Sequence, residues 1–208
     1  FAIGDTARVK FTVIEGWNFK QLMTQLHLQT ELKDDLSGMS SDQIMTKLGK
    51  PGVHPEGRFL PDTYIVPRTG LQSQILQMAA DAMDKALADT WQMREQNLPL
   101  QSAEQLLILA SIVEKETGQA FERPQIAGVF IRRLQLNMRL QTDPTVIYGM
   151  GEKYQGNIRK KDLQSDTAYN TYTRSGLPPT PIAMPGQAAL TASAHPATGD
   201  ELYFVAKG

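Results

Sequence analysis

The strongest constraint on the fold is an apolar run from Leu106 to Val113. Ser102 and Gln105 stand where the N-cap and N3 residues of a capping box belong, and Gly118 stands where a helix commonly ends. This spacing predicts a helix from about 103 to 117. Its apolar side chains cover nearly the whole circumference, which is typical of a helix that is buried on all sides.

Glu114 follows the apolar run directly, so the sequence places a carboxylate at the end of a buried helix. Burial disfavours the charged form and raises a carboxyl pKa, which suits a general acid that protonates a glycosidic oxygen. The pattern fits equally an ordinary glutamate at a helix end, paired with Lys115 or an arginine. Glu116 falls about 160° away on the helical wheel, so the two glutamates cannot face the same substrate atom.

Composition narrows the class of protein. The chain has 208 residues, a formal net charge of −1 and no cysteine. The balanced charge argues against a general nucleic-acid binder, and the lack of cysteine fits an oxidising compartment without excluding the cytosol. No run approaches the roughly 18 apolar residues of a membrane helix. Because the chain lacks an initiator Met, we expect it to be a fragment of a longer protein.

Several kinds of catalytic centre are disfavoured. The three histidines have no ligand spacing, and there is no cysteine to join them, so no metal or other cofactor is expected. Gly149-Met-Gly151 lacks the Lys-Ser/Thr of a phosphate loop. Ser111 lies inside the apolar helix without an obvious base.

The overall pattern predicts an α+β protein in two parts. Residues 1–70 read as a small strand–helix–helix–strand module, with strands near 8–14 and 62–67 and helices near 19–28 and 41–48. Residues 71–208 read as a mixed helical and β domain that begins with a long helix, from Gln72 to about Gln96.

The second part is also expected to contain strands and one long loop. The first half of Met138–Gly149 and residues 201–206 have strand-like patterns, and Pro144 is expected to start a helical turn. Residues 149–187 are rich in Gly, Pro, Asn, Thr and Tyr. Loops of this length are usually functional or disordered, and the interleaved aromatic residues favour an ordered loop.

Two further features carry charge. Asp143 is the best candidate for a second catalytic carboxylate, but Asp143-Pro144 equally fits a turn. A basic run, formed by Lys153, Arg159, Lys160 and Lys161, could meet acidic peptide groups, although a solvated face is the more common role of such a run.

Several ordered motifs resemble those of the endolytic murein transglycosylases, the YceG-like family. They are Ala110-Ser-Ile-Val-Glu-Lys-Glu116, Arg139-Leu-Gln-Thr-Asp-Pro-Thr-Val-Ile-Tyr-Gly149, Ala168-Tyr-Asn-Thr-Tyr172, Gly176-Leu-Pro-Pro179, Ile182-Ala-Met-Pro-Gly186 and Ala194-His-Pro196. The match runs in order over about residues 103–206 and more weakly through Glu15-Gly16 and Pro61-Asp-Thr-Tyr64.

The resemblance implies a lyase that cleaves the β-1,4 bond between N-acetylmuramic acid and N-acetylglucosamine in nascent peptidoglycan strands. It implies 1,6-anhydro ends, control of strand length, and Glu114 as the catalytic residue. It also implies a bacterial inner-membrane protein with its catalytic part in the periplasm and contact with peptidoglycan synthases. The family's membrane helix is absent here, its LysM-like module is missing or represented only by residues 1–70, and its C-terminal Gly-Gly-His-Thr-Phe motif is missing.

The transition state of glycoside cleavage also needs fixed polar groups around the sugar. Candidate substrate contacts lie in and near the long loop, and they are Gln141, Thr142, Asp143, Tyr148, Tyr169, Asn170 and Tyr172. Asn170 is the preferred one because it has little packing value, while any of the tyrosines could instead anchor the loop.

Two other functions fit the sequence. A peptidoglycan-binding module would bind strands without cleaving them. A conventional glycoside hydrolase would use Glu114 as acid and Asp143 to activate water.

Overall fold

The computed structural model describes residues 7–204. Within this range the chain forms two strands, eight α-helices and one 3-10 turn at Gly151–Lys153. In chain order the elements are β1 (Arg8–Thr12), α1 (Phe19–His27), α2 (Ser41–Lys47), β2 (Thr63–Pro67), α3 (Gln72–Gln92), α4 (Ala103–Glu116), α5 (Arg123–Gln135), α6 (Asp143–Met150), α7 (Lys160–Gln164) and α8 (Gln187–Ala194).

The N-terminal module has the predicted order of elements. β1 pairs antiparallel with β2, in a register that sets Arg8 opposite Pro67 and Thr12 opposite Thr63. Alternate residues of each strand are buried, as expected for a sheet with one face on a core. Asn18 and Ser40 cap α1 and α2 through capping boxes, so both helices begin where the sequence indicates.

Two hydrophobic clusters fill the molecule, and α3 contributes to both. The N-terminal half of α3 packs with the sheet, α1 and α2, together with Met184 from the distant loop. Its C-terminal half packs with α4, α5 and α8. The boundary between residues 70 and 71 stays a prediction, because one continuous helix joins the two cores.

α4 is the buried helix that the sequence predicts. Ser102 accepts a hydrogen bond from the Gln105 backbone N–H, and every residue from Leu106 to Glu114 is buried. The helix ends at Glu116, and Gly118 does not adopt a left-handed conformation. The expected glycine cap is therefore not formed, and Thr117 leaves the helix in an extended conformation.

The expected strands of the C-terminal part are not formed within the described residues, and this corrects the mixed helical and β prediction for that part. Residues 138–142 have no ladder partner, and the backbone of 140–141 bonds instead to the Arg133 guanidinium and to the Thr171 carbonyl. Residues 201–204 also form no strand, because Arg132 and Arg133 donate to the carbonyls of Glu201 and Leu202. Residues 205 and 206 lie outside the described range.

Between the end of α6 at Met150 and the start of α8 at Gln187 the chain is mainly irregular, and its regular elements are the 3-10 turn and α7. α6 starts at Asp143 with Pro144 in its first turn, as predicted.

No helix between residues 7 and 204 has both the length and the hydropathy needed to span a bilayer.

Candidate active site

Glu114 lies at the C-terminal end of α4 with only 9% of its surface exposed. The Arg123 guanidinium donates to its Oε1 at 3.0 Å, and the Gly186 backbone N–H donates to its Oε2 at 2.9 Å. Arg123 is itself buried at the start of α5. The carboxylate is thus held between one charged donor and one backbone donor.

Burial raises the pKa of Glu114 above its ordinary value, because desolvation outweighs the bonds from Gly186 and Arg123. The nearby charge of Glu15 raises this pKa further. The same two donors favour the carboxylate once a proton has left. Burial therefore favours the protonated form of Glu114, while its two donors favour the carboxylate.

The segment from Ile182 to Gly186 is bonded on two sides, and this fixes the Gly186 N–H. On one side Ser111 of α4 accepts from the Ile182 N–H at 3.0 Å. On the other side the Met184 backbone exchanges hydrogen bonds with Gly16 and Trp17, at 2.9 and 2.7 Å. The Ser111 hydroxyl, which donates to the Ile108 carbonyl, thus connects α4 to this loop segment.

Gly186 also lies close to the end of the flexible Glu15 side chain, which would have to move if residue 186 carried a Cβ. A Cβ at this position would lie 2.1 Å from a Glu15 carboxylate oxygen, and the other Glu15 oxygen lies 3.5 Å from Arg123. Arg123 and Gly186 carry no role in the sequence interpretation, although Glu15-Gly16 and Gly186 belong to motifs that it identifies. Their convergence on Glu114 becomes visible only in three dimensions.

Glu116 lies in a separate environment, as the helical wheel predicts. The Thr142 hydroxyl donates to its carboxylate, and its pKa is raised by burial and by the charge of Asp143. Asp143 is exposed at the start of α6 and accepts from the Tyr172 hydroxyl at 2.6 Å. The charge of Asp143 therefore acts on Glu116, whereas the charged neighbours of Glu114 are Arg123 and Glu15.

A cleft of about 570 Å³ lies between the first turn of α1 and α6. We call it the α1–α6 cleft, and its walls include Gly16, Asn18, Glu56, Lys115, Tyr148 and Tyr154. Gly16 and Lys115 are the chain neighbours of Glu15 and Glu114, so the cleft begins beside the Glu114 group. The Lys115 ammonium donates to the Gly16 carbonyl at 3.3 Å.

Glu56 is a buried carboxyl group in the wall of this cleft that sequence reasoning missed. Its exposed fraction is 3%. The Phe19 N–H donates to Oε1 at 2.9 Å and the Tyr148 hydroxyl donates to Oε2 at 3.0 Å. Burial raises the pKa of Glu56 to about 7, although both hydrogen bonds lower it. Its place in a proline-rich and glycine-rich loop gives no sequence signal of burial.

The other predicted substrate contacts lie in two regions, one at the α1–α6 cleft and one around Thr142. Tyr148 is in the cleft and packs edge-on against Tyr169, with the ring centroids 4.9 Å apart. The Tyr169 hydroxyl lies 2.8 Å from the Thr180 hydroxyl. Thr142 is buried beside Glu116, while Gln141 is exposed and has a left-handed φ of 49°. Their roles toward a substrate stay predictions.

Asn170 is 1% exposed, and its amide is bonded to the surrounding backbone. Nδ2 donates to the carbonyls of Leu163 and Ser165 at 3.0 and 2.7 Å, and Oδ1 accepts from the Tyr172 N–H at 2.9 Å. These bonds are those of a loop anchor, so they favour a structural role over the preferred substrate contact.

Replacement of Asn170 by Ala is therefore expected to lower the free energy of unfolding by about 2–3 kcal/mol, because it leaves buried backbone groups unpaired. Chemical denaturation measures this loss. An Asn170→Ala protein with unchanged stability and cleavage slowed by about 10²-fold would instead support the substrate-contact role.

Among residues 7–204, no group of three or more His, Asp or Glu side chains is placed to hold a metal ion.

Comparison with known proteins identifies the family. The family model described as the YceG-like family matches residues 2–208. A Bacillus subtilis strain 168 protein named endolytic murein transglycosylase is 36% identical over 194 residues, which are 90% of this chain and 52% of that protein. A Streptococcus pneumoniae strain D39 protein with the same name is 37% identical over 157 residues, which are 73% of this chain and 28% of that protein.

The fold is also shared with a solved structure. The crystal structure of a YceG-like protein from Listeria monocytogenes superposes with a TM-score of 0.77 at 31% identity, and the match covers 96% of this chain and 71% of the other. The chain spans about half the length of the Bacillus relative. Both the sequence match and the fold place it in one group of proteins: the chain belongs to the YceG-like family.

Proposed function

We propose that this chain is the catalytic part of an endolytic lytic transglycosylase that cleaves the β-1,4 bond between N-acetylmuramic acid and N-acetylglucosamine in nascent peptidoglycan. The observation that carries the proposal is the environment of Glu114, a buried carboxyl group with a raised pKa beside an open cleft. The family membership and the names of the relatives support the same reaction.

In the proposed mechanism, Glu114 first donates its proton to the glycosidic oxygen of the leaving sugar. The resulting carboxylate then accepts the proton of the muramic acid C6 hydroxyl, whose oxygen attacks the anomeric carbon. The C–O bond to the leaving sugar breaks, and a 1,6-anhydro ring closes. Because no water is consumed, one carboxyl group serves both steps.

In this mechanism Arg123 and Gly186 stabilise the charged form of Glu114. Their hydrogen bonds to Glu114 stabilise the carboxylate that exists between the two proton transfers. Burial opposes that charge and raises the pKa of Glu114, so it favours the protonated form before the first transfer. The balance of these effects lets one residue act first as acid and then as base.

A hydrolase is the main alternative, and the charges around Asp143 argue against it. Asp143 is exposed, bonded to Tyr172 and electrostatically coupled to Glu116. It is not among the groups that shift the pKa of Glu114.

Mass spectrometry of glycan strands digested by the protein tests the proposal. We expect 1,6-anhydro-muramic ends and shortened strands, with internal bonds cut before the termini. Reducing ends would show a hydrolase, and bound but intact strands would show a non-catalytic binding module.

The location and partners are part of the same proposal. We expect the full-length protein to be held at the bacterial inner membrane with this part in the periplasm, where it shortens strands made by peptidoglycan synthases. The extracytoplasmic position of the substrate supports this arrangement.

A further inference from the structure

A second pocket borders the same segment, residues 144–154, that forms part of the wall of the α1–α6 cleft. Its volume is about 330 Å³, and we call it the basic pocket because Lys153, Arg159 and Lys161 line it. These are three of the four residues of the basic run in the sequence. Lys160, the fourth, does not line the pocket.

The three cations have no anionic partner in the part of the chain that the structure describes. None of them forms an ion pair with a carboxylate between residues 7 and 204. Asp162 is the one acidic residue in the lining, and its carboxylate accepts a hydrogen bond from the Arg159 backbone N–H at 2.8 Å. The lining therefore carries an excess of two positive charges.

The neutral part of the lining suits a peptide. It is formed largely by amide and hydroxyl side chains, from Gln155, Asn157, Ser165 and Thr167. Such groups both donate to and accept from peptide bonds. A pocket of this size holds a short peptide segment, whereas a small inorganic anion would fill little of it.

The basic pocket lies next to the α1–α6 cleft, because residues of one short segment line both. Gly149, Met150 and Lys153 line the basic pocket, while Tyr148, Gly151 and Tyr154 line the cleft. A group that branches from a sugar in the cleft has to cross only this short segment to reach the cations.

We infer that the basic pocket binds the free carboxylates of a peptide stem on the glycan strand. The inference rests on the proposed function, because murein carries such stems on its muramic acid residues. It makes the enzyme selective for strands that still carry peptides. Lys153, Arg159 and Lys161 then act on specificity, while Glu114 carries the chemistry.

The test compares cleavage of stem-bearing strands with cleavage of strands whose stems an amidase has removed. We expect wild-type kcat/KM to be about 10-fold to 100-fold higher on stem-bearing strands, which is the range of one or two charge-assisted hydrogen bonds. In the triple variant Lys153→Gln/Arg159→Gln/Lys161→Gln this ratio should fall toward one. Lys160→Gln removes a neighbouring charge outside the pocket and should keep the wild-type ratio.

Calorimetry supplies a measurement that does not depend on cleavage. We expect a soluble N-acetylmuramyl peptide with free carboxylates to bind at least about 10-fold more tightly than its carboxamide analogue, and the triple variant to lose this difference. Equal binding of the two ligands, equal cleavage of the two strands, or competition by inorganic phosphate alone would overturn the inference. If neither strand is cleaved but the binding difference holds, the proposed function fails and the carboxylate site stands.

Discussion

Replacement of Glu114 by Gln is expected to slow strand cleavage by about 10³-fold or more while the protein remains folded. A glutamine amide cannot donate a proton to the leaving oxygen or accept one from the C6 hydroxyl. Its side-chain oxygen can still accept one of the two bonds that Arg123 and Gly186 donate to Glu114. Single-turnover digestion of purified strands measures the rate, and thermal unfolding monitors the fold.

Glu116→Gln is the matched control, since it makes the same change two residues away on the same helix. The Glu116 carboxylate accepts from the Thr142 hydroxyl, and an amide oxygen can accept that bond as well. We expect this variant to retain most of the activity. Normal turnover by a folded Glu114→Gln protein, or loss of activity only in Glu116→Gln, would contradict the assignment of Glu114.

The second large effect concerns Glu56 and the dependence of stability on pH. Its pKa is about 7 in the folded protein against an ordinary value of 4.5. Between these two values the unfolded chain releases the proton while the folded protein keeps it, so stability falls as pH rises. The stability that protonated Glu56 gives to the folded protein is fully present below pH 4.5 and is lost once the pH passes about 7. The loss amounts to about 3 kcal/mol.

Glu56→Gln should abolish this loss of stability at higher pH, because glutamine stays neutral and can still bond to the Phe19 N–H and the Tyr148 oxygen. We expect the variant to match the wild type near pH 4.5 and to exceed its free energy of unfolding by about 3 kcal/mol at pH 8. Other carboxyl groups with raised pKa values, such as Glu114, cancel in this comparison. Urea unfolding at several pH values measures the difference.

Glu95→Gln is the control for this experiment, because Glu95 is exposed. Its effect on the free energy of unfolding should be within about 0.5 kcal/mol. Parallel pH profiles for wild type and Glu56→Gln would show that Glu56 is ionised in both the folded and the unfolded states.

The elements that the sequence predicts well are those with a strong local signal. The strand–helix–helix–strand order of residues 8–67 follows from alternation, capping boxes and proline placement, and α4 follows from its cap and its apolar circumference. The separation of Glu114 from Glu116 follows from helical geometry alone. These features depend on neighbours within a few residues, so local sequence patterns are enough to predict them.

The predicted strands near 138–142 and 201–204 failed for the opposite reason. An alternating pattern favours an extended backbone, but a strand also needs a neighbour with which to pair. Arg132 and Arg133 supply the missing hydrogen bonds from α5 instead. The sequence gives no sign of that arrangement, because guanidinium groups on a helix usually face water.

The sequence by itself determined the order of elements in the N-terminal module and the position of the buried helix. It also determined that Glu114 lies at the end of that helix. Only the tertiary structure decided what surrounds that group: Arg123 and Gly186 as its donors, Glu56 in the wall of the adjoining cleft, and the three cations that meet in one pocket. The reason is physical. Helix periodicity is set by residues three or four apart, whereas a carboxyl pKa is set by burial and by charges that the chain brings together from many residues away.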